Sequence, residues 1–197
     1  MKNILIGLTG VAEDVDGNRI GSARVGKDEI AGYLTRNSPN WYQESFASPI
    51  YKIVHEAFGV PLEILQNPSE HQKEEHRYEP WDMTMRQMLQ TVGSELFRHH
   101  VDEDFWVKSL TTRLEADFCN DRHACHVVSD VRMENEARAI RSRSGVIIHV
   151  HRKISGGKVR PHETEQTVGI VEGDRHIYNY GTIDELHRQI EAVILSF

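Results

Sequence analysis

Residues Asn3 to Leu8 (NILIGL) form a mostly apolar run that ends in Thr9-Gly10, the pattern of a buried parallel strand running into a loop. Val11 to Ser22 then turns polar, and Asp16-Gly17-Asn18 between Val15 and Ile20 predicts a turn or small hairpin that looks inserted. From Lys27, Ile30, Ala31 and Leu34 recur at helical spacing until Ser38-Pro39. Ile50 to Phe58 predicts a second helix, stopped by Gly59 and Pro61. The polar stretch Leu65 to Asp82 reads as a surface excursion. Met85 to Phe97 and Phe105 to Leu114 are amphipathic at the helical period.

Val127-Val128, with Ser129-Asp130 at its polar end, predicts another buried strand, and Glu134 to Arg143 a charged helix. Val146 to Val150 (VIIHV) is a third strand, Ser155 to Thr167 a flexible loop, and Arg175 to Tyr178 a last short strand. Ile183 to Leu195 closes the chain as a helix capped by Thr182, with Glu185 three residues on. Strands separated by helices imply an α/β protein, a three-layer sandwich with a mainly parallel sheet covered on both faces.

A length of 197 residues suits one such domain over 1–197 and leaves little room for a second. The formal net charge of −7 argues against a surface for a nucleic acid polymer or an anionic membrane, yet permits a local basic pocket for a small phosphorylated ligand. With two cysteines, Cys119 and Cys125, no basic-then-apolar N-terminus and no membrane-length apolar run, a cytoplasmic location is expected.

The strongest local motif is Gly21-Ser22-Ala23-Arg24-Val25-Gly26-Lys27, which has the GxxxxGK spacing of a phosphate-binding loop leading into a helix. Glycines let backbone N–H groups approach phosphate oxygens, the helix N-terminus adds partial positive charge, and the lysine reaches the terminal phosphates. Asp28 stands where Ser or Thr would hold magnesium, and a plain helix-capping loop is the competing reading. A second cluster, Asp130-Val131-Arg132 with Glu136, lies past a strand end, where α/β sheets bind ligands. Its bland alternative is a helix cap with a surface ion pair. Arg86 and Arg152 offer guanidinium groups of the kind phosphoryl transfer needs, although most arginines are solvated surface residues. Cys119, His123, Cys125 and His126 are competent zinc ligands in a spacing that fits no common zinc pattern.

The segments Arg86 to Leu96 (RQMLQTVGSEL), Phe105 to Lys108 (FWVK), Val127 to Arg132 (VVSDVR), Gly26-Lys27-Asp28, His162 to Glu165 and Asn179 to Thr182 resemble, in order and spacing, the deoxynucleoside monophosphate kinases of tailed bacteriophages. That family also places aspartate after the loop lysine. The resemblance implies transfer of a phosphoryl group from ATP, with Mg²⁺, to a nucleoside monophosphate, in the host cytoplasm if the source is a phage. It implies that Gly21, Arg24, Val25, Gly26, Lys27, Asp28 and Glu29 hold ATP, with Asn179 and Gly181 near the adenine. Arg86, Gly93, Trp106, Asp130, Arg132 and Glu136 would surround the acceptor, in part on a helical region 40–115. Lys27, Arg86, Arg132 and Arg152 would be catalytic, with Arg152 on a lid at 152–168, and Asp28 and Asp130 would reach the metal through water. A homodimer is left open.

In the family the loop's first glycine directly follows the first strand, which here is Gly10, so either Gly21 takes its role after an inserted hairpin or the loop bulges from Gly10. Tyr51 stands where the family tends to place a lysine, and Lys52 is given no role. Two other readings stay open, a kinase of another small metabolite such as dephospho-coenzyme A, and a noncatalytic ATP-binding switch.

Overall fold

The first apolar run becomes strand β1 (Leu5–Glu13), in a computed structural model that describes residues 3–22, 24–121, 123–154 and 168–197. The strand continues past Leu8 because Val11 and Ala12 are still buried. It then folds back as β2 (Arg19–Gly21), with Ala12 opposite Gly21 and Glu13 opposite Arg19. Asp14 makes the turn, its Oδ1 accepting the N–H groups of Asp16 at 2.9 Å and Asn18 at 2.8 Å, while Gly17 takes φ 84°, which glycine adopts without steric cost.

The chain divides into two compact units, one of residues 1–45 with 111–197 and one of 46–110. In the first, β3 (Trp41–Glu44), β6 (Cys125–Val128), β1, β7 (Val146–Lys153) and β8 (Arg175–Tyr178) lie side by side in that order, all parallel. The sequence pattern misses β3. It is an edge strand with one buried residue, Trp41, so it lacks the apolar run of the central strands. Helices α1 (Lys27–Asn37) and α8 (Ile183–Ile194) cover one face, burying Ile30, Ala31, Leu34, Leu186 and Ile190 against Ile6, Leu8, Val127, Ile148, Val150 and Ile177. Each large aliphatic so buried contributes about 1.5–3 kcal/mol. On the other face α7 (Glu134–Arg141) approaches so closely that a Cβ at Gly7 would stand 2.7 Å from the Ile140 side chain. The unit is thus an α/β sandwich with a mostly parallel sheet between helical layers.

The unit of residues 46–110 is mainly helical. Helix α2 (Ser48–Phe58) ends at Gly59, φ 74°, and α3 (Leu62–Gln66) and α4 (Glu70–Glu74) follow. A ribbon pairs β4 (Arg77–Tyr78), inside the stretch read as an excursion, with β5 (Met83–Thr84) just beyond it. Helix α5 (Met85–Gln90), capped by Thr84 and Gln87, widens into a π-helical segment, Thr91–His99. Helix α6 (Phe105–Asn120) starts here, and its Trp106 Nε1–H donates to the Gly93 carbonyl at 2.7 Å. Among the described residues no helix is long and apolar enough to cross a membrane. The expected loop Ser155 to Thr167 lies outside the described residues.

A chain of polar groups runs along β7 and β8. His149 Nε2 lies 2.9 Å from Asp174 Oδ2, which also accepts from Arg141 Nη2 at 2.8 Å. His151 bridges Glu13 at 3.0 Å and His176 at 2.9 Å. Burial pushes the imidazoles of His149 and His176 below the ordinary histidine value of 6.5. A base depressed in the folded state binds its proton mainly when unfolded, so stability is full above 6.5 and falls as pH drops toward the folded values. The thermal midpoint should therefore fall between about pH 7 and pH 5, and His149→Gln with His176→Gln should flatten that slope. A midpoint that is flat or rises over this range in the unsubstituted protein would contradict the assignment.

Candidate active site

Where β2 ends, the chain crosses back toward the C-terminal end of the sheet and enters α1 through residues 22–26. Arg24 takes φ 58° and Gly26 φ 104°, whereas Val25 between them is not left-handed. Left-handed residues in a turn of this kind are the backbone pattern from which anion-binding nests of N–H groups are built. The Val25 side chain is buried, which ties this loop to the core. Lys27 opens α1, and its Nζ donates to the Ser22 carbonyl at 2.6 Å.

Gly10 lies directly beneath. A Cβ there would stand 2.0 Å from the Ser22 carbonyl oxygen and 2.9 Å from Lys27 Nζ, so only glycine lets the strand approach the loop. Gly21 belongs to the hairpin arm, paired opposite Ala12. The structure therefore joins the two readings of the loop: the insertion projects as a hairpin, and its return leg brings Ser22 back over Gly10.

Two further predicted residues reach the loop from the neighbouring strands. Arg152, near the end of β7, donates from Nη1 to the Arg24 carbonyl at 3.2 Å. Asn179, just beyond β8, donates from Nδ2 to the Val25 carbonyl at 2.9 Å. Asn179 Nδ2 is also the atom that a Cβ at Gly26 would meet, at 2.6 Å. Asp28 is exposed on the first turn of α1. Glu29 pairs with Arg36 and His187, each at 2.9 Å, and the hydrogen bond from His187 leads in holding its carboxyl below the usual range. Gly181 lines an open depression of about 650 Å³ with Tyr178, Tyr180, Glu185, Arg188, Gln189 and Ala192.

Asp130 and Arg132 follow β6 at the same sheet edge, Asp130 half-buried and Arg132 exposed. Glu136 is buried, and its Oε2 accepts the N–H groups of Arg132 at 2.8 Å and Met133 at 3.1 Å. That carboxylate ties off the start of α7 and fixes the backbone that carries Arg132. In the helical unit, Arg86 donates through Nε to both oxygens of Glu74 at 2.7 Å. Trp106 is 1% exposed and packs against Phe97 and Phe105, so here it is a core residue bound to Gly93 and presents no free face.

The structure thus gathers Arg24, Val25, Gly26, Lys27, Arg152 and Asn179 around one loop, joins Arg132 to Glu136 and Gly93 to Trp106, and sets Arg86 on Glu74. Sequence reasoning missed Arg19, whose Nη2 donates to the Gly10 carbonyl at 3.0 Å, and Glu74. Arg19 sits in a segment read as an insertion, and Glu74 lies 12 residues from its partner, so no spacing signals either.

A parallel sheet whose first strand feeds a glycine–lysine loop and then a helix defines a P-loop kinase-like protein. The profile described as deoxynucleotide monophosphate kinase matches residues 63–190, and the chain belongs to that family. A protein of Acanthamoeba polyphaga mimivirus, provisionally named a deoxynucleotide monophosphate kinase, is 31% identical over 190 residues, covering 89% of this chain and 93% of that one. The deoxynucleotide monophosphate kinase of Enterobacteria phage T4 is 31% identical over 112 residues, and that of Escherichia phage RB69 29% over 111. Each of these alignments covers 56% of this chain and 45% of the phage protein, so the chain matches less than half the length of either. The matched relatives thus include a mimivirus protein as well as phage proteins.

If Gly10 is the floor of the cradle, Gly10→Ala must displace the Ser22 carbonyl and with it Lys27. ATP affinity, measured by calorimetry on folded protein, should fall at least about tenfold, whereas Gly17→Ala at the hairpin tip should leave it unchanged. Equal affinity in Gly10→Ala would remove the floor from the account.

Proposed function

We propose that this protein transfers the γ-phosphoryl group of ATP to a deoxynucleoside monophosphate. The observation that carries the reading is the convergence of Lys27, Arg152 and Asn179 on a loop with two left-handed residues at the start of a helix. Such a loop offers amides and cations to a chain of phosphates, which suits a reaction catalysed by positioning and charge stabilisation. The relatives' names support a deoxynucleotide as acceptor.

In the proposed reaction an oxygen of the acceptor phosphate attacks the γ-phosphorus of ATP. A new P–O bond forms as the bond to the bridging oxygen breaks and ADP leaves with that electron pair. The acceptor oxygen is already ionised at neutral pH, so no general base is needed. Lys27 exchanges the Ser22 carbonyl for phosphate oxygens, and Arg152 and Arg132 stabilise charge on the transferring group. Arg86 is released from Glu74 to align the acceptor phosphate, and Trp106 acts on that side by holding Gly93 in place. Asp28 and Asp130 are hard oxygen donors that fit Mg²⁺ through water, and the ion would supply neutralising charge to the phosphates.

A coupled assay with ATP against the common ribo- and deoxyribonucleoside monophosphates tests this directly. At least one deoxynucleotide should be converted to its diphosphate. Lys27→Ala should lower kcat roughly 100-fold or more, and Arg86→Ala should raise KM for the monophosphate more than for ATP. No transfer to any monophosphate, or ATP hydrolysis that ignores them all, would overturn the reading.

A further inference from the structure

On the sheet face opposite α1 and α8, away from the phosphate loop, three side chains that the proposed reaction does not use come together. Glu44 on β3, Asp117 on α6 and His126 on β6 each place one potential ligand atom within 4.8 Å of the others. His126 is fully buried, and neither of its ring nitrogens has a hydrogen-bond partner. Buried polar groups are almost always satisfied, so an imidazole left wholly unpartnered beside two carboxylates needs a missing partner. We propose that Glu44, Asp117 and His126 bind a first-row divalent cation, Zn²⁺ by preference, at a site that shares no residue with the proposed kinase chemistry.

The surroundings are built for a fixed ligand. Tyr42 stacks on the His126 ring with centroids 5.6 Å apart, and Phe118 meets it edge-on at 4.9 Å, so the imidazole plane is clamped. Burial, the leading cause, holds the His126 imidazole below its ordinary value of 6.5. Both Arg113 bonds to Glu44 end on Oε2, at 3.2 and 3.3 Å, and a carboxylate can hold an outer-shell guanidinium on one oxygen and a cation on the other. Glu44 and Asp117 are half-buried, which leaves a route in from solvent.

The donor set selects the ion. One imidazole with two carboxylates suits Zn²⁺ and its neighbours, whereas Mg²⁺ and Ca²⁺ prefer oxygen throughout. Tetrahedral Zn²⁺ with bonds of about 2.0–2.2 Å sets its donors roughly 3.4 Å apart, so binding would draw the three ligand atoms closer than the 4.8 Å that encloses them here, with water in the fourth position. The bound ion would pin β3 to β6 and α6. Because β3 is an edge strand whose Glu44 carbonyl accepts the Ser129 N–H at 3.1 Å, the pin would also stiffen the chain just before Asp130.

Chelator-stripped full-length protein titrated with ZnCl₂ by calorimetry, with thermal melts alongside, provides the test. The unsubstituted protein should bind one Zn²⁺ and melt higher when loaded, with excess MgCl₂ failing to compete. Asp117→Asn and His126→Gln should each weaken binding at least about tenfold, while Cys119→Ser with His123→Ala, which removes the neighbouring alternative ligands, should bind like the parent. Should His126→Gln fail to fold, Asp117→Asn and Glu44→Gln at the half-buried positions decide the matter. Absence of one-to-one binding, unchanged affinity in Asp117→Asn, or loss of binding in the Cys119/His123 variant would overturn the assignment.

Discussion

The ammonium of Lys27 is held against the Ser22 carbonyl above a glycine that has no room for a side chain. Everything proposed about phosphate chemistry depends on this approach. A hairpin interrupts the usual short path from first strand to phosphate loop, and the loop survives because the hairpin's return leg ends on Gly10. The Arg19 guanidinium bound to the Gly10 carbonyl fastens that leg to the strand. The insertion thus projects outward at its Asp14 turn while its base closes the cradle.

The sheet supplies the rest of the support. In a parallel sheet all strand ends of one polarity lie along one edge, so residues distant in sequence meet there. Arg152 and Asn179 reach carbonyls of the loop from β7 and from just past β8, while Asp130 and Arg132 follow β6. Buried Glu136 fixes the backbone at Arg132 by accepting its N–H and that of Met133, while the Arg132 side chain stays exposed. A buried carboxylate that organises the chain and an exposed cation, which the proposed reaction sets on phosphate, thus share one helix start.

Much of the fold was legible because burial on both sides leaves continuous apolar runs, as in NILIGL and VIIHV, and because α1, α7 and α8 keep a helical period. The turn at Asp16-Gly17-Asn18 was legible from its residue types, whereas the part of Asp14 in making it appears only in the fold. Strand β3 was not, since an edge strand with only Trp41 buried has no run to detect. The π-helical segment was also hidden, because Val92 and Leu96 fit an α-helical period equally well. For the candidate site, residue types and the GxxxxGK spacing were readable, whereas partnerships were not. The Asn179 contact to Val25 spans 154 positions, and the Glu74 contact to Arg86 has no periodic signature. Trp106 looked like a surface for a base, and only the fold reveals that its indole is occupied by Gly93.

The central claim is that the amides around Gly26, with Lys27, grip a triphosphate. Amide resonances of isotopically labelled protein titrated with an ATP analogue that cannot transfer its γ-phosphoryl group report on this directly. The account predicts that Val25 to Asp28 shift most and that the shifts vanish in Lys27→Ala or follow a much weaker binding curve. Resonances of that loop left in place while a distant surface responds would contradict it.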